Sequence, residues 1–293
     1  MFYLSNDIEN IYIINESSGS GEIKKFINYL YNLSYEQSIK NIYLYTKGKN
    51  DATKLAKLYS NIYPQAIIYS VGGDGTLNEI VNGINPNSRL AIIPLGTGND
   101  FYKVYKKIKG TQKIDIGIVN DKKFINIASL GLDAEIAKKA NKYKLLKKYK
   151  HNEYSVGIIK TLMENPHYST SIGNLSLLAI CNGMYYGNGV PINPNYNLND
   201  GNFEVYSANE LTRLQCIKLF LKIFTASHYN NDLVSYYKSS DIVVSSPDYL
   251  MCNIDGEIIY AKEFEFKNIK DGLTITTDVP NYIHQYMLNR DKR

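Results

Sequence analysis

The segment IIYSVGGDGTLNEIVNG, at positions 67–83, limits the fold of this chain more than any other. An apolar run ends at three glycines within four residues, and apolar residues at helical spacing follow at once. Thr76 and Glu79 have the spacing of a capping box, so we predict that the helix begins at Thr76. A short buried strand that leads straight into a helix predicts a parallel sheet.

The same alternation of strand and helix runs through the first third of the chain. The apolar runs predicted to be strands are 10–15, 41–46, 66–71 and 90–95. The other stretches predicted to be helices are 21–33, 51–63 and one near 100–107. In the 51–63 helix the expected buried face carries Leu55, Leu58, Tyr59 and Ile62. Apolar strands of this kind fit a sheet covered on both faces, so residues 1–118 are predicted to form a doubly wound α/β domain.

The pattern changes after about residue 112. Short runs that often alternate apolar and polar residues follow one another, separated by Gly, Asn and Asp, with few helices between them. This pattern predicts an all-β, antiparallel, sandwich-like domain over residues 119–278, with helical stretches at 133–165 and 210–227. The tail, 279–293, is predicted to be a helix that returns to the first domain.

Composition excludes several classes of protein. The chain has 293 residues and a net charge of 33 − 28 = +5, which is too weak to indicate a nucleic-acid partner. Cys181, Cys216 and Cys252 are far apart and are expected to be reduced, buried thiols. We expect neither a signal peptide nor a membrane span, and therefore a cytoplasmic protein that at most lies on a membrane surface.

The glycines in the 67–83 segment point to a phosphate site. A helix N-terminus attracts anions, and glycine lets a phosphate approach the backbone without a Cβ in the way. Asp74 would repel a phosphate, so its presence indicates a bridging Mg²⁺. The stretches 15–21 and 95–100 also follow strands and open helices, so all three turns are expected at one edge of the sheet. The alternative is an ordinary strand–helix turn with a polar Asp.

Four stretches together resemble the diacylglycerol kinase catalytic-domain family, which is shared with sphingosine and ceramide kinases. They are VGGDGTLNEIVNGI (71–84), IPLGTGNDF (93–101), YNLNDGNFEV (196–205) and NIDGE (253–257). The first alone is less specific, because NAD kinases and phosphofructokinases carry related loops. The chain's size and the lack of accessory zinc or calcium modules point to soluble bacterial lipid kinases similar to the YegS and DgkB types. That resemblance implies an ATP-binding α/β domain like that of NAD kinase, followed by a β-sandwich domain.

The resemblance also implies roles for individual residues. Glu257 is expected to be the general base, with Asp255 beside it and Asp74 on the Mg²⁺. The residues expected to line the ATP are Asn15, Ser17, Ser18, Gly19, Thr46, Gly72, Gly73, Asp74, Gly75, Thr76, Asn78 and Thr97. A structural Mg²⁺ is expected on Asp200, with Asn197 and Asn202 offering main-chain oxygens.

Two departures from the family pattern bear on these roles. Glu16 stands where the family commonly has Pro, and it adds negative charge near the phosphates. Asn199 stands where an acidic residue is common, and it lowers the charge around the structural metal. For Asp255-Gly256 the residues alone favour a plain hairpin turn, and only the resemblance favours function. For Asp200-Gly201 a turn and a metal site are compatible, since a turn can present oxygens to a cation.

A lipid acceptor implies contact with an anionic membrane surface at the inner face of the membrane. Residues 136–150 carry seven lysines and are a candidate for that contact, although a solvated helix face is an equal alternative. The apolar helix at 211–224 is expected to be core, or otherwise the wall of a lipid pocket. The prediction is therefore an ATP- and Mg²⁺-dependent lipid kinase. The alternatives are a small-molecule kinase of the NAD kinase type and a non-catalytic nucleotide- or lipid-binding regulator. The oligomeric state is left open.

Overall fold

A computed structural model describes residues 8–18, 21–37, 40–145, 161, 164 and 166–291. The strands are β1 Asn10–Ile14, β2 Asn41–Tyr45, β3 Ile67–Gly72, β4 Arg89–Pro94, β5 Thr111–Val119, β6 Lys122–Phe124, β7 Ile127–Gly131, β8 Tyr168–Thr170, β9 Gly173–Cys181, β10 Phe203–Asn209, β11 Ser235–Ser239, β12 Asp241–Ile254 and β13 Glu257–Thr276. The helices are α1 Glu22–Gln37, α2 Asp51–Ile62, α3 Asp74–Gly83, α4 Tyr102–Tyr105, α5 Leu132–Leu145, α6 Arg213–Phe224 and α7 Asn281–Asp291.

Residue contacts divide the chain into two units. Unit 1 comprises Met1–Ile114 and Asp271–Arg293, and unit 2 comprises Asp115–Lys270. The limits expected from the sequence, 118 and 279, lie a few residues later in each case.

Unit 1 is built on a parallel sheet in the order β2-β1-β3-β4, with the last residues of β13 alongside β4. Its strands are formed by apolar runs in which every residue of β1 and β3 is buried. Helix α1 packs Ile23, Phe26 and Leu30 against the sheet, and Ile283 of α7 joins the same core. The predicted α/β class of this part is confirmed.

Helix α2 buries a different face from the predicted one. Its buried residues are Ala52, Ala56 and Ser60, whereas Leu58 is 54% exposed. The reason is the short distance to α3, since a Cβ added to Gly83 would lie 2.0 Å from the carbonyl oxygen of Thr53. Only small side chains fit between two helix backbones at that separation.

Unit 2 is antiparallel throughout its main sheet, in the order β11-β10-β9-β7-β12-β13. Its core is made by inward-facing residues of these strands, with Phe124 and Phe203 stacked at a ring-centroid distance of 5.5 Å. The predicted antiparallel, sandwich-like class is confirmed. Cys181, Cys216 and Cys252 are buried and no disulfide joins them, as expected.

Only one side of helix α6 is buried, which corrects the expectation that this helix belongs to the core. Cys216, Leu219 and Ile223 are buried, but Leu214, Ile217 and Leu221 point to solvent. The sequence alone gives no sign of this division, because both faces of the helix are apolar.

Candidate active site

The topology of unit 1 creates a crevice at one place on the sheet edge. Strand β1 has β2 on one side and β3 on the other, and the chain then continues outward from β3 to β4. The connections that leave β1 and β3 therefore run in opposite directions. In open α/β sheets, ligands bind outside the carboxyl ends of the strands at such a switch point. We name the connections there the β1 turn (residues 15–18), the β3 turn (72–76) and the β4 turn (95–100).

Backbone hydrogen bonds hold these three turns together. The amide of Asn15 donates to the carbonyl of Val71 at 3.0 Å, and its side-chain Nδ2 donates to Thr76 Oγ1 at 3.0 Å. On the other side, the amides of Leu95 and Gly96 both donate to the carbonyl of Gly72, at 2.8 and 3.0 Å. The three turns expected at one edge of the sheet thus form one continuous surface.

Two of the glycines are there because the backbones nearly touch. A Cβ added to Gly96 would lie 2.3 Å from the Cα of Gly73, which no real contact allows. Gly73 itself has φ −106°, a value open to any residue, so close approach rather than backbone conformation requires glycine here. A Cβ on Gly75, in contrast, would meet only open space.

Helix α3 begins at Asp74, two residues before the predicted start, and Gly73 is its N-cap. The expected capping box is absent because both of its side chains are used elsewhere. Thr76 Oγ1 accepts from Asn15, and the carboxylate of Glu79 accepts the amide of Ala52 at 3.1 Å. The amides of Gly75 and Thr76 lie in the first helical turn, where an α-helix offers no internal acceptor. The N-terminal end of the helix dipole is therefore directed at the crevice.

Asp74 links the β3 turn to the β4 turn. Its Oδ1 accepts the amide of Asp100 at 2.7 Å, and a Cβ added to Gly98 would lie 2.7 Å from its Oδ2. Asp100 is buried, and its Oδ1 accepts from Lys103 Nζ at 2.8 Å. Asp100 and Lys103 were not singled out from the sequence, although the aspartate lies in the quoted LGTGND stretch.

The other residues predicted to line a nucleotide are placed as follows. Ser17 Oγ donates to Asn15 Oδ1 at 2.7 Å, and the amide of Ser18 donates to the carbonyl of Asn15 at 3.0 Å. Thr97 is exposed in the β4 turn, and Thr46 follows β2, where its amide bonds to Ile14. Asn78 is buried in the second turn of α3. Gly19 lies outside the described residues.

In unit 2, Asp255 and Gly256 form the two-residue turn of the β12–β13 hairpin. Their φ angles are +47° and +96°, as a type I′ turn requires, and Ile254 pairs with Glu257 across it. Glu257 is half-buried and is the first residue of β13. The turn interpretation is therefore right for Asp255-Gly256, and it does not exclude a role for the carboxylate that follows.

The carboxylate of Asp255 fixes the hairpin tip to a neighbouring segment. It accepts three backbone amides, from Ile125 at 2.8 Å, Asn126 at 3.1 Å and Ile127 at 2.9 Å. Three donors to one carboxylate make a firm anchor, since hydrogen bonds to an ionised group are about twice as strong as neutral ones. This contact holds Glu257, two residues later, in a defined position.

Two buried polar side chains, Asn253 and Asp133, also support this hairpin. Asn253 Oδ1 accepts the amide of Gly256 at 3.0 Å, and Asn253 Nδ2 reaches Asp133 Oδ2 at 3.3 Å. Asp133 is fully buried, and desolvation raises the pKa of its carboxyl group. Sequence reasoning missed Asn253 and Asp133, because they are 120 residues apart and share no motif.

Comparison with known proteins bears on both units. Residues 10–128 match the model of the diacylglycerol kinase catalytic domain, and residues 126–274 match that of the YegS C-terminal NAD kinase beta sandwich-like domain. Together the two matches span residues 10–274, and this chain belongs to the family that combines these two domains.

Relatives within the family match over most of their length. The chain is 26% identical to "Diacylglycerol kinase" of Bacillus subtilis (strain 168) over 280 residues, which cover 88% of this chain and 92% of that one. It is 28% identical to "Probable lipid kinase YegS-like" of Chromohalobacter salexigens, with 73% and 76% covered. A crystal structure from Bacillus anthracis strain Sterne shares the fold at a TM-score of 0.71 and 21% identity, covering 92% of this chain and 97% of that one.

Asp200, which was expected to hold a structural Mg²⁺, is paired with the ammonium group of a lysine instead. Lys238 Nζ lies 2.7 Å from Asp200 Oδ2 and 3.1 Å from Oε1 of the buried Glu204. Asp200 Oδ1 accepts the amide of Asn202 at 3.1 Å. An ammonium at this distance repels a divalent ion, so the Asp200 carboxylate does not fit the expected metal site.

At the two other expected residues the side chains bond within the turn, whereas the ligands expected there were their main-chain oxygens, and that expectation stays a prediction. Asn197 Oδ1 accepts the amide of Asn199 at 3.1 Å, and Asn202 Nδ2 donates to the carbonyl of Asp200 at 2.9 Å. The carboxylate of Asp115, which lies outside the turn in sequence, accepts the amide of Gly201 at 2.6 Å. The sequence did not indicate this contact. The stretch is thus held by the protein's own donors.

Among the described helices of this kinase-family chain, none has both the length and the apolar character needed to cross a bilayer.

Proposed function

We propose that this protein is an ATP- and Mg²⁺-dependent lipid kinase, which transfers the γ-phosphate to a hydroxyl of diacylglycerol or a related lipid. The observation that carries the proposal is the joined surface of the β1, β3 and β4 turns at the switch point of the unit 1 sheet. The names of the relatives support a lipid as the acceptor.

The three turns are suited to a polyphosphate. The first-turn amides of α3 and the adjacent glycine backbone can donate hydrogen bonds to phosphate oxygens, and the helix dipole favours their negative charge. Glycine at positions 73 and 96 keeps the turns close enough for one phosphate group to reach both. In this chain, backbone amides would thus bind the phosphates that a P-loop lysine binds in other nucleotide sites.

Asp74 fits an ion that arrives with the nucleotide. Mg²⁺ in nucleotide enzymes is commonly bound by one or two carboxylates together with phosphate oxygens and water. Within the described part of the chain, no group of three or more His, Cys, Asp or Glu residues could hold a metal by itself. When bound, the ion would neutralise charge on the transferred phosphoryl group. Asp74 is positioned for this by the Asp100 amide.

Glu257 is the proposed general base. In the transfer, the lipid hydroxyl oxygen forms a bond to the γ-phosphorus, the bond from that phosphorus to the bridging oxygen of ADP breaks, and the hydroxyl proton passes to the Glu257 carboxylate. Asp255 acts through Glu257 as a positioning residue, because its own carboxylate already accepts three amides.

A transfer assay with γ-labelled ATP tests the proposal. The acceptors are diacylglycerol, a sphingoid base, phosphatidylglycerol and undecaprenol, with NAD as a soluble acceptor. We expect label in a lipid and none in NAD, and we expect Glu257→Gln to lower turnover far more than ATP affinity. Label in NAD alone would establish a small-molecule kinase instead. ATP binding without transfer to any acceptor would establish a regulator.

A further inference from the structure

Helix α6 presents a ridge of large aliphatic side chains to solvent. Leu214 is 71% exposed, Ile217 42% and Leu221 63%. At about 100° per residue these three positions fall within about 60° of one another around the helix, so they form one continuous strip. A monomeric protein rarely leaves such a strip uncovered, since exposed apolar patches commonly mark interaction sites.

The helix that carries the ridge is firmly placed. Thr212 and Gln215 form a complete capping box at its N-terminus, with the Thr212 amide donating to Gln215 Oε1 at 2.8 Å. Its opposite side packs Cys216 and Leu219 against Ile136 of α5. The ridge is therefore held in a defined orientation, and its exposure does not result from fraying.

Positive charge flanks the ridge on both sides. By helix geometry, Lys218 and Lys222 lie about 40° and 80° to one side of Leu214, and Arg213 lies about 100° to the other. The twelve residues of α6 contain no acidic side chain. Within the described residues, neither Lys218 nor Lys222 forms an ion pair. An apolar strip bordered by cations is the pattern of a helix that lies in the headgroup region of an anionic bilayer.

We propose that α6 docks the protein on an anionic membrane, with Leu214, Ile217 and Leu221 inserted among the lipids and the flanking cations on their headgroups. The inference rests on the proposed function, because a diacylglycerol acceptor resides in a bilayer. It names a different surface from the lysine-rich 136–150 stretch, of which residues 146–150 lie outside the described part.

Vesicle sedimentation without nucleotide tests this contact independently of catalysis. The vesicles are equimolar phosphatidylglycerol and phosphatidylcholine, or phosphatidylcholine alone. We expect the wild type to bind the anionic vesicles in a salt-sensitive manner. Leu214→Glu combined with Leu221→Glu should lower the partition at least about tenfold. Lys218→Gln combined with Lys222→Gln should lower it about 25-fold, since each lysine near the surface is worth roughly a factor of five.

The matched control is Leu58→Glu combined with Ile62→Glu on α2, which replaces two exposed aliphatic residues of unit 1. This variant should bind vesicles as the wild type does. For all variants, the unfolding midpoint and the affinity for ATP report whether the fold is intact. If a ridge variant loses its fold, Leu221→Gln alone repeats the test with a milder change.

Three results would overturn the inference. The first is unchanged vesicle binding by the ridge variants, and the second is an equal loss in the α2 control. The third is a wild-type dimer that becomes monomeric in the ridge variants while vesicle binding persists, which would make the ridge an interface between two copies. None of these results bears on lipid phosphorylation, which is decided by the transfer assay alone.

Discussion

Unit 1 and unit 2 both use turns that join aspartate to glycine, but the physical reasons differ. In the β3 and β4 turns, glycine is required by close approach, because Gly73 and Gly96 nearly touch. In the Asp200-Gly201 and Asp255-Gly256 turns, glycine is required by conformation, with φ of +74° and +96° and ordinary or open space around it. The difference teaches that glycine near an aspartate lets two turns meet in one unit and only reverses the chain in the other.

The aspartates differ in the same way. Asp255 accepts three backbone amides and Asp200 is paired with a lysine, so both are engaged in holding unit 2 together. Asp74 stands at a helix N-terminus in a crevice between strand ends, where an ion and a phosphate would meet it. Equivalent substitutions in the two units should therefore affect different measured quantities.

The largest expected effect is that of Asp74→Asn on turnover. Asparagine keeps an oxygen to accept the Asp100 amide but removes the charge, so phosphoryl transfer should fall about a thousandfold or more. The unfolding midpoint should change little. Turnover comes from the labelled-ATP assay and stability from urea denaturation. A variant that keeps a tenth of the wild-type turnover would exclude a metal-binding role for Asp74.

Next in size is Gly96→Ala, which tests close approach in the β4 turn. The added Cβ would lie 2.3 Å from the Cα of Gly73, and neither backbone can move without separating the turns. We expect a loss of about 3 kcal/mol in the free energy of unfolding, and a weaker affinity for ATP. Gly75→Ala is the control: its Cβ meets open space in a helical turn, so stability should stay constant or rise. Equal losses in the two variants would contradict the steric explanation.

Asp255→Asn makes the same chemical change in unit 2 as Asp74→Asn makes in unit 1. One of the amides from residues 125–127 would face an NH₂ group instead of an oxygen, so we expect a loss of about 2 kcal/mol in stability. Urea denaturation measures it. Should stability be unchanged while turnover falls as far as in Asp74→Asn, Asp255 would be a catalytic residue and not an anchor.

Lys238→Met tests whether the ammonium replaces a structural metal. The variant leaves Asp200 and the buried Glu204 without their shared cation. Because Lys238 is partly exposed, the expected loss is only about 1–2 kcal/mol in the free energy of unfolding. The wild-type midpoint should be the same with excess Mg²⁺ and with a chelator. A midpoint that falls on chelation would show that a metal does bind at this turn.

The smallest effects are expected at Gly256. Alanine there must adopt φ near +96°, which costs about 1 kcal/mol, whereas asparagine tolerates the left-handed region and should cost less. Thermal unfolding of Gly256→Ala and Gly256→Asn gives the comparison. An alanine variant as damaging as Gly96→Ala would mean that unit 2 also depends on close approach at its turns.

Local sequence patterns predicted much of this molecule correctly. The four strands of the first domain lie within one residue of their predicted limits, because each is a short apolar run ended by polar or glycine residues. The family and the fold class were also predicted correctly. The β1, β3 and β4 turns could be assigned to one sheet edge because parallel strands end on the same side.

The errors and omissions share one cause, which is that they depend on what a residue meets far along the chain. Thr76 does not cap α3 because Asn15, 61 residues earlier, uses its hydroxyl. Leu58 is exposed because α3 approaches α2 too closely for large side chains. Asp200 pairs with Lys238, 38 positions later, and no local sequence pattern predicts this pair.

The way unit 1 is completed has a consequence for biosynthesis. Thr274 and Ile275 pair with β4, and Ile283 fills the core beside Phe26, so the sheet gains its fifth strand and final packing only from residues after Asp271. A ribosome has by then released all of unit 2. A chain that stalls or is cut before Asp271 therefore lacks part of the support for the crevice at the β1, β3 and β4 turns. Under the proposed function, truncated products of translation should not compete with the finished chain for ATP.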